Sequence, residues 1–438
     1  MGKTTSRAAA WWTVVLLGVL AVVSFVDRLA LALLVDPIKA DLGVSDTQMG
    51  LLLGASFAFM YAIFGLPLSL VADRGNRRWL IFAGVMVWTI LTVVSGFATS
   101  FAVLLLCRLG VGLGEAALSP AAVSMIGDLF VRERRALALA VYVTLGALGA
   151  SGAFVIAAAV LQWTAAGLSL PFVGEVEAWR ATLILVGAPG VLLGFVFLLT
   201  VREPPRTGPP PVRPPLSEGW AHARSHGRTY LGLFGGVALA SMITYGSASW
   251  FPAHLGRAYG ETPQAIGYAF GSIAILGVVS GSFIMPVLAD RLLKAGRRDG
   301  LILTALACTA LTAVFYIPAF TAPSFERALF FALFATFALS GLSQLAGLAV
   351  QLITPARLRG LFTAVLLFMT NILGLGLGPS VVAAISDALT PGPTSLGRAL
   401  AILTAVVAPL AFLLLLQARR PVADAIAHAS AAEAQVAS

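Results

Sequence analysis

The chain has 438 residues, of which 59% are hydrophobic and only 11% charged, and it carries a formal net charge of +9. Soluble domains carry roughly a quarter of their residues as charges, so water-soluble and disordered classes are excluded. Nucleic acid is not indicated either, because that reading needs Lys and Arg clustered on one solvated face, and here they are dispersed between apolar runs.

Apolar runs of about 20 residues, at a rise of about 1.5 Å each, cross a hydrocarbon core of about 30 Å. Twelve such runs tile the chain. The first six are predicted at 11–35, 49–71, 79–98, 101–126, 136–162 and 181–201. The first is too long for a signal-peptide core and lacks a small-residue cleavage site, so it is expected to remain as span 1. From Arg202 to Glu218 the residues Pro204, Pro205, Pro209, Pro210, Pro211, Pro214 and Pro215 cannot continue a helix, which predicts an extended connector. Six further runs follow at 229–252, 264–289, 301–320, 325–351, 360–386 and 397–417. The expected organisation is therefore a bundle over 1–201, a Pro-rich linker over 202–228, a second bundle over 229–417 and a mobile Ala-rich tail over 418–438. Spans 2 and 8 end alike, in Leu70-Val71-Ala72-Asp73-Arg74 and Leu288-Ala289-Asp290-Arg291. This is an internal repeat, and paired six-helix bundles are how many transporters build a midplane site open to one side at a time.

Most of the 28 Lys and Arg fall in loops on the N-terminal side, from Lys3 and Arg7 through Arg74, Arg132 and Arg213 to Arg420. Only Lys39, Arg180, Arg257, Arg327 and Arg398 fall on the other side, where Asp36, Asp41 and Asp46 make the first loop acidic. The positive-inside rule then places both termini in the cytoplasm. Cys107 and Cys308 lie in spans of different halves, and His222, His226, His254 and His428 form neither a zinc-spaced nor a Ser-His-acid set. No metal, cofactor or catalytic centre is expected, and without a Walker loop transport is not driven by ATP hydrolysis in this chain.

Charges inside a span cost about 2.5 to 3.5 kcal/mol at the bilayer centre and persist where they are paired or face water. They are Asp27 and Arg28 in span 1, and Arg108 and Glu115 in span 4. Counted from the external ends, Asp27 and Arg108 both lie about 10 to 12 Å deep, at a depth where they meet. Glu115 follows Arg108 by two turns on one face, near mid-membrane. Asp27 is read either as a proton-binding carboxylate tuned by Arg108 or as half of a permanent ion pair. Glu115 is a second proton site or a hydrogen-bond clamp between helices, since Gly112, Gly114, Ala116 and Ala117 around it permit close approach. Arg28, a quarter-turn from Asp27, is a helix anchor or a contact for a substrate anion. The spans of the second half carry no charge, only Tyr245, Ser249, Trp250, Gln344, Gln351 and Asn371 among apolar and small residues. Tyr245, Gln344 and Asn371 are candidate partners for a substrate head group, or interhelical hydrogen bonds. The run Gly374, Gly376 and Gly378 suits bending or close packing.

Several segments together resemble the Spinster-like transporters of the major facilitator superfamily. They are Phe25-Val26-Asp27-Arg28, Asp41-Leu42-Gly43, Arg108-Leu-Gly-Val-Gly-Leu-Gly-Glu115-Ala, Ser119-Pro120-Ala121, Trp179-Arg180, Val201-Arg202-Glu203-Pro204-Pro205, and Asn371 through Gly374, Gly376 and Gly378 to Pro379. The superfamily's charged motif between spans 2 and 3 is present as Asp73-Arg74 with Arg77-Arg78, with Ser69 and Asn76 where Gly is the pattern. The resemblance covers nearly the whole chain. It implies an all-α polytopic protein of the major facilitator fold, with 12 transmembrane helices in two six-helix bundles, monomeric and in a bacterial inner membrane. It also implies proton-coupled transport of a lipid with one chain or a small polar head, such as a lysophospholipid or a phosphorylated sphingoid base. Asp27, Arg108 and Glu115 are the expected proton-coupling residues, and Arg28 and Arg108 the basic groups for an anionic head. Asp73, Arg74, Arg77 and Arg78, with Asp290 and Arg291 in the second half, are expected to make gating contacts that hold one state and break in another. One wall charged and the other apolar suits an amphiphile. The alternatives are a proton-coupled carrier of a small organic anion or drug, for which two Arg form the clamp, and an uncoupled lipid facilitator.

Overall fold

The computed structural model describes residues 6–170, 174–206 and 215–437. Lys3, Arg213, Pro209 to Pro211 and Pro214, on which parts of the topology and linker expectations fall, lie outside them. Among the described residues twelve helices are long and apolar enough to cross a membrane: Arg7–Leu33, Asp46–Arg74, Arg77–Ser95, Phe101–Leu129, Glu133–Thr164, Ala178–Thr200, Gly227–Tyr259, Pro263–Lys294, Gly300–Phe320, Phe325–Ile353, Arg359–Ala388 and Ser395–Ala427. They are spans 1 to 12 below. Apart from a short antiparallel hairpin that pairs Leu168–Leu170 with Gly174–Val176, the described chain is helical. Helices satisfy every internal backbone hydrogen bond within themselves, which an apolar solvent requires.

Two compact units result, one of residues 1–211 with 260–272 and the other of 212–259 with 273–438. In the first unit span 1 packs along span 5, and span 3 along spans 4 and 6. The approach of spans 3 and 4 depends on two glycines. A Cβ at Gly84 would stand 2.7 Å from Gly114 O, and one at Gly114 would stand 2.7 Å from Gly84 O and 2.8 Å from Trp88 N. These neighbours are backbone, so they cannot turn aside, and Gly114→Ala is expected to cost about 1 to 3 kcal/mol by overpacking. Gly127→Ala, with nothing within 4 Å, serves as the control; thermal unfolding in detergent should separate the two. Equal melting of both variants would contradict this contact.

The ends of span 1 and span 2 are joined by a short helix, Val35–Leu42, closed by Gly43 in the left-handed region at φ 64°. Its Asp41 Oδ2 accepts from Arg180 Nη2 at 2.5 Å, Arg180 Nη1 donates to Ala98 O, and the guanidinium lies 4.3 Å from the Trp179 ring centroid. This ties three loops of one end of the first unit together.

In the second unit span 7 packs along spans 11 and 12, and span 9 along spans 10 and 12. Span 11 contains a π-helical stretch, Thr370–Leu377, where the wide turn displaces the normal hydrogen bonds. Ser241 Oγ, which donates to Ala238 O at 2.6 Å, lies 3.3 Å from the Thr370 carbonyl there. Two expectations differ from the structure. The predicted extended connector ends early, in a helix Leu216–Ser225, because Pro215 sits just before the first turn, where its missing N–H costs nothing. The last helix continues from Ser395 to Ala437 rather than giving way to a mobile tail at 418. Its Ala residues favour helix, and Val422 is buried, with Ala425 and Ile426 against the same core as Tyr230, Phe234 and Phe362. At the near end of span 9, Arg419 donates to Asp299 Oδ2 at 2.6 and 2.9 Å and holds that carboxyl below its usual range.

Candidate functional site

The four charges that the sequence places inside the apolar runs of spans 1 and 4, Asp27, Arg28, Arg108 and Glu115, converge in one buried cluster. Asp27, on span 1, is 1% exposed. Its Oδ2 accepts from the Thr92 hydroxyl of span 3, and its Oδ1 stands 3.8 Å from Arg108 Nη1 without a hydrogen bond. Glu115 Oε2 accepts from Ser24 Oγ at 2.6 Å and from Arg28 Nη2, while Oε1 has no hydrogen-bond partner. Arg28 therefore turns to Glu115 as an ion pair, with its guanidinium 4.1 Å from the Phe57 ring centroid and further from Phe25 and Tyr61. Arg108 Nη2 approaches the Arg28 carbonyl at 3.5 Å. Ser24 and Arg28 are four residues apart and so share a helix face, which is why both reach one carboxylate.

Two negative and two positive groups make the cluster neutral overall, a state in which burial is tolerable. Each carboxylate keeps one oxygen unsatisfied. Thr92 Oγ1 also lies 2.9 Å from Trp88 O, and a hydroxyl has one hydrogen to give. It therefore serves either Asp27 or the helix carbonyl, not both. Thr92 and Ser24 carry no charge and sit among many Ser and Thr in spans, so the sequence offered no signal for Thr92 and only the four-residue spacing to Arg28 for Ser24.

Of the expected head-group residues in the second unit, Tyr245 is half-buried against Gly374, where a Cβ would stand 3.0 Å from its Cδ2. Asn371 lies one turn earlier on the π-helical stretch and is half-buried, while Gln344 is exposed on span 10. The structure brings Tyr245 and the Asn371 segment together. Trp250, which is fully buried, donates to Pro379 O at 2.8 Å.

The expected gating residues fall into different environments. Arg77 is 0% exposed. It donates to Glu203 Oε1 at 2.7 Å, Pro204 O at 3.0 Å and Ser124 O and Oγ at 3.1 Å, and pairs with Asp128. The Arg78 backbone N–H donates to Glu203 Oε2 at 2.8 Å, and its side chain to Leu198 O. Arg206 donates to Ala72 O at 2.9 Å and Gly75 O at 2.7 Å, where span 2 ends. Asp73 is half-buried and Arg74 exposed. In the second unit Asp290 pairs with Lys294 at 2.6 Å on an exposed surface, and Arg291 is exposed. Asp128, Ser124 and Arg206 were not singled out by the sequence; Asp128 lies at the end of an apolar run, where a lone acid has many explanations.

The description Major Facilitator Superfamily matches residues 16–379. An MFS-type efflux pump of Mycolicibacterium smegmatis is 30% identical over 406 residues, covering 91% of this chain and 90% of the pump. Protein spinster homolog 1 of Rattus norvegicus is 29% identical over 275 residues, 60% of this chain; the match spans about half of that relative's length, 49%. Among solved structures, a bacterial homologue of the human lysosomal transporter Spinster, inward-facing and unoccupied, superposes with a TM-score of 0.78 at 28% identity, over 96% of this chain and 98% of that one.

Proposed function

This chain belongs to the major facilitator superfamily, and from that premise we propose that it is a proton-coupled secondary transporter that moves an amphipathic lipid with a small polar head by alternating access. It is an integral multi-pass membrane protein whose matched relatives are transporters rather than enzymes. The observation that carries the proposal is the buried cluster of Asp27, Arg28, Arg108 and Glu115, with one unsatisfied oxygen on each carboxylate. Intramembrane ionisable groups of this kind mark proton relays and substrate paths.

The chemistry follows from the geometry. Ionised Asp27 takes the Thr92 hydrogen and attracts Arg108. Once protonated, Asp27 can donate to Thr92 Oγ, the Thr92 hydrogen turns to Trp88 O, and the pull on Arg108 is lost. Spans 1, 3 and 4 thus exchange one set of polar contacts for another, and the buried Arg108 is left without its counter-charge. Arg108, loosened from Asp27, becomes available to an anionic head group, so proton and substrate compete for one guanidinium. Glu115 stays engaged by Ser24 and Arg28, which makes it the second proton site or the fixed brace of span 4. An apolar second unit with Tyr245 and Asn371 at a π-helical turn suits the chain of a lipid. The positive-inside distribution supports an orientation with both termini inside, and the likeness to a bacterial Spinster homologue supports a bacterial inner membrane.

The relation to an efflux pump over nine tenths of the chain favours a second reading, a small amphipathic drug or organic anion as substrate. Flux of a fluorescent lysophospholipid into proteoliposomes under an imposed pH gradient, with a small organic anion as competitor, separates the two. Gradient-dependent lipid flux resistant to the anion is expected; anion movement with no lipid flux would contradict the lipid assignment.

A further inference from the structure

Helix Leu216–Ser225 has one face committed and another that is exposed among the described residues. On the committed face Gly219 backs onto Leu361, whose Cδ2 is the nearest atom that a Cβ there would meet. His222 meets the Phe362 ring edge-on at 5.5 Å, and its Nε2 lies 3.1 Å from Tyr230 Oη, which lies 2.9 Å from Thr354 Oγ1. Burial, and then the neighbouring His226 ring, hold His222 below the usual imidazole range. Those partners stand at the ends of spans 7, 10 and 11, so the helix lies across the rim of the second unit. Span 7 begins at Gly227, one residue after His226. The helix is therefore held at the depth where span 7 enters the bilayer.

The adjoining face carries Leu216, Trp220 and Arg224 at four-residue spacing, a single stripe. Leu216 is 77% and Trp220 72% exposed. Arg224 and Arg228 are exposed too, and among the described residues neither pairs with a carboxylate; Glu218, on the far side of the helix from the stripe, is 3.3 Å from Arg357. Helices with an apolar edge flanked by Arg lie in the plane of the interface, burying Leu and Trp at the acyl boundary with the guanidinium groups on phosphates. Free cations beside a bare Trp, at that depth, fit anionic lipid better than another protein surface.

We propose that helix Leu216–Ser225 is an interfacial anchor that docks its Leu216, Trp220 and Arg224 stripe, with Arg228, onto an anionic phospholipid surface. Each arginine near such a surface raises the docked-to-free ratio by about fivefold. The anchor is independent of which substrate is carried and of proton coupling, and it leaves the docked face of His222 untouched.

The test places a nitroxide at Ser217→Cys, beside the stripe, in the full chain; Cys107 and Cys308 are buried and should not label. Collisional access to oxygen and to a water-soluble nickel complex is read in nanodiscs of phosphatidylcholine alone and with phosphatidylglycerol. Symmetric discs make the result independent of orientation. Oxygen-dominated access with phosphatidylglycerol is expected, falling by about 25-fold in docked-to-free ratio in Arg224→Gln with Arg228→Gln, from two fivefold contributions. Nickel-dominated access in both discs would overturn the anchor, as would shielding from both reagents, which means protein covers the stripe. Equal insertion in phosphatidylcholine alone would overturn recognition of anionic lipid.

Discussion

Glu115→Ala is expected to destabilise the first unit by about 3 to 5 kcal/mol, the usual cost of leaving a buried charge without its partner. Arg28 keeps its place over the Phe57 ring at 4.1 Å, so the loss should fall toward the lower end of that range. Ser24, whose hydroxyl donates to Glu115 at 2.6 Å, loses its acceptor as well. The paired change Arg28→Met with Glu115→Leu should recover most of the stability, because it removes both charges and fills the space with apolar side chains. Thermal unfolding in one detergent of the native chain, Arg28→Met, Glu115→Leu and the variant with both changes forms a double-mutant cycle. A coupling below about 0.5 kcal/mol, the level at which independent sites add, would mean that the two groups do not act as a pair. The same cycle bears on the reading of Glu115 as brace or proton site: a brace leaves the pH dependence of transport in place when the double variant folds.

Asp27→Asn has the larger expected effect on function. Asparagine matches aspartate in shape and its Oδ1 still accepts from Thr92, so the fold is expected to survive. It cannot gain or lose a proton, and Arg108 is no longer attracted by a charge at 3.8 Å. With one proton per substrate, a pH difference of one unit sustains about a tenfold accumulation, since about 1.4 kcal/mol is a factor of ten. The variant should fall to no accumulation while still exchanging labelled for unlabelled substrate across the membrane. Accumulation unchanged in Asp27→Asn would move the proton site elsewhere, with Glu115 the next candidate.

Much of the architecture is legible in the sequence because a bilayer imposes one length and one hydropathy on every crossing. All twelve predicted spans find a helix, and the ends differ chiefly where polar residues let a helix run past the apolar part, as from Glu133 before span 5 and to Lys294 after span 8. Depth counting placed Asp27 and Arg108 at one level, and the structure sets them 3.8 Å apart. Which acid Arg28 meets was not legible. A quarter-turn offset in Cα direction says little about a side chain with four rotatable bonds, and the Ser24 to Arg28 spacing was the only local sign of a shared partner on span 4. Thr92 was beyond reach, because a neutral hydroxyl in a span is most often bonded to its own helix, as Thr92 also is through Trp88 O. The helix Leu216–Ser225 was obscured by the seven prolines before it, since proline count marks where helix is forbidden and not where it resumes. Conversely, the last helix shows that alanine in a presumed tail supports helix once Val422 has a core to enter.

The most direct test of proton coupling through the buried cluster is to drive the cycle backwards. Proteoliposomes holding a trapped pH-sensitive dye receive a step in lysophospholipid concentration with no imposed pH gradient. The native chain should change the internal pH as substrate moves, and Asp27→Asn should move substrate with no pH change. Substrate movement in the native chain without any proton movement would contradict the coupling and leave an uncoupled facilitator.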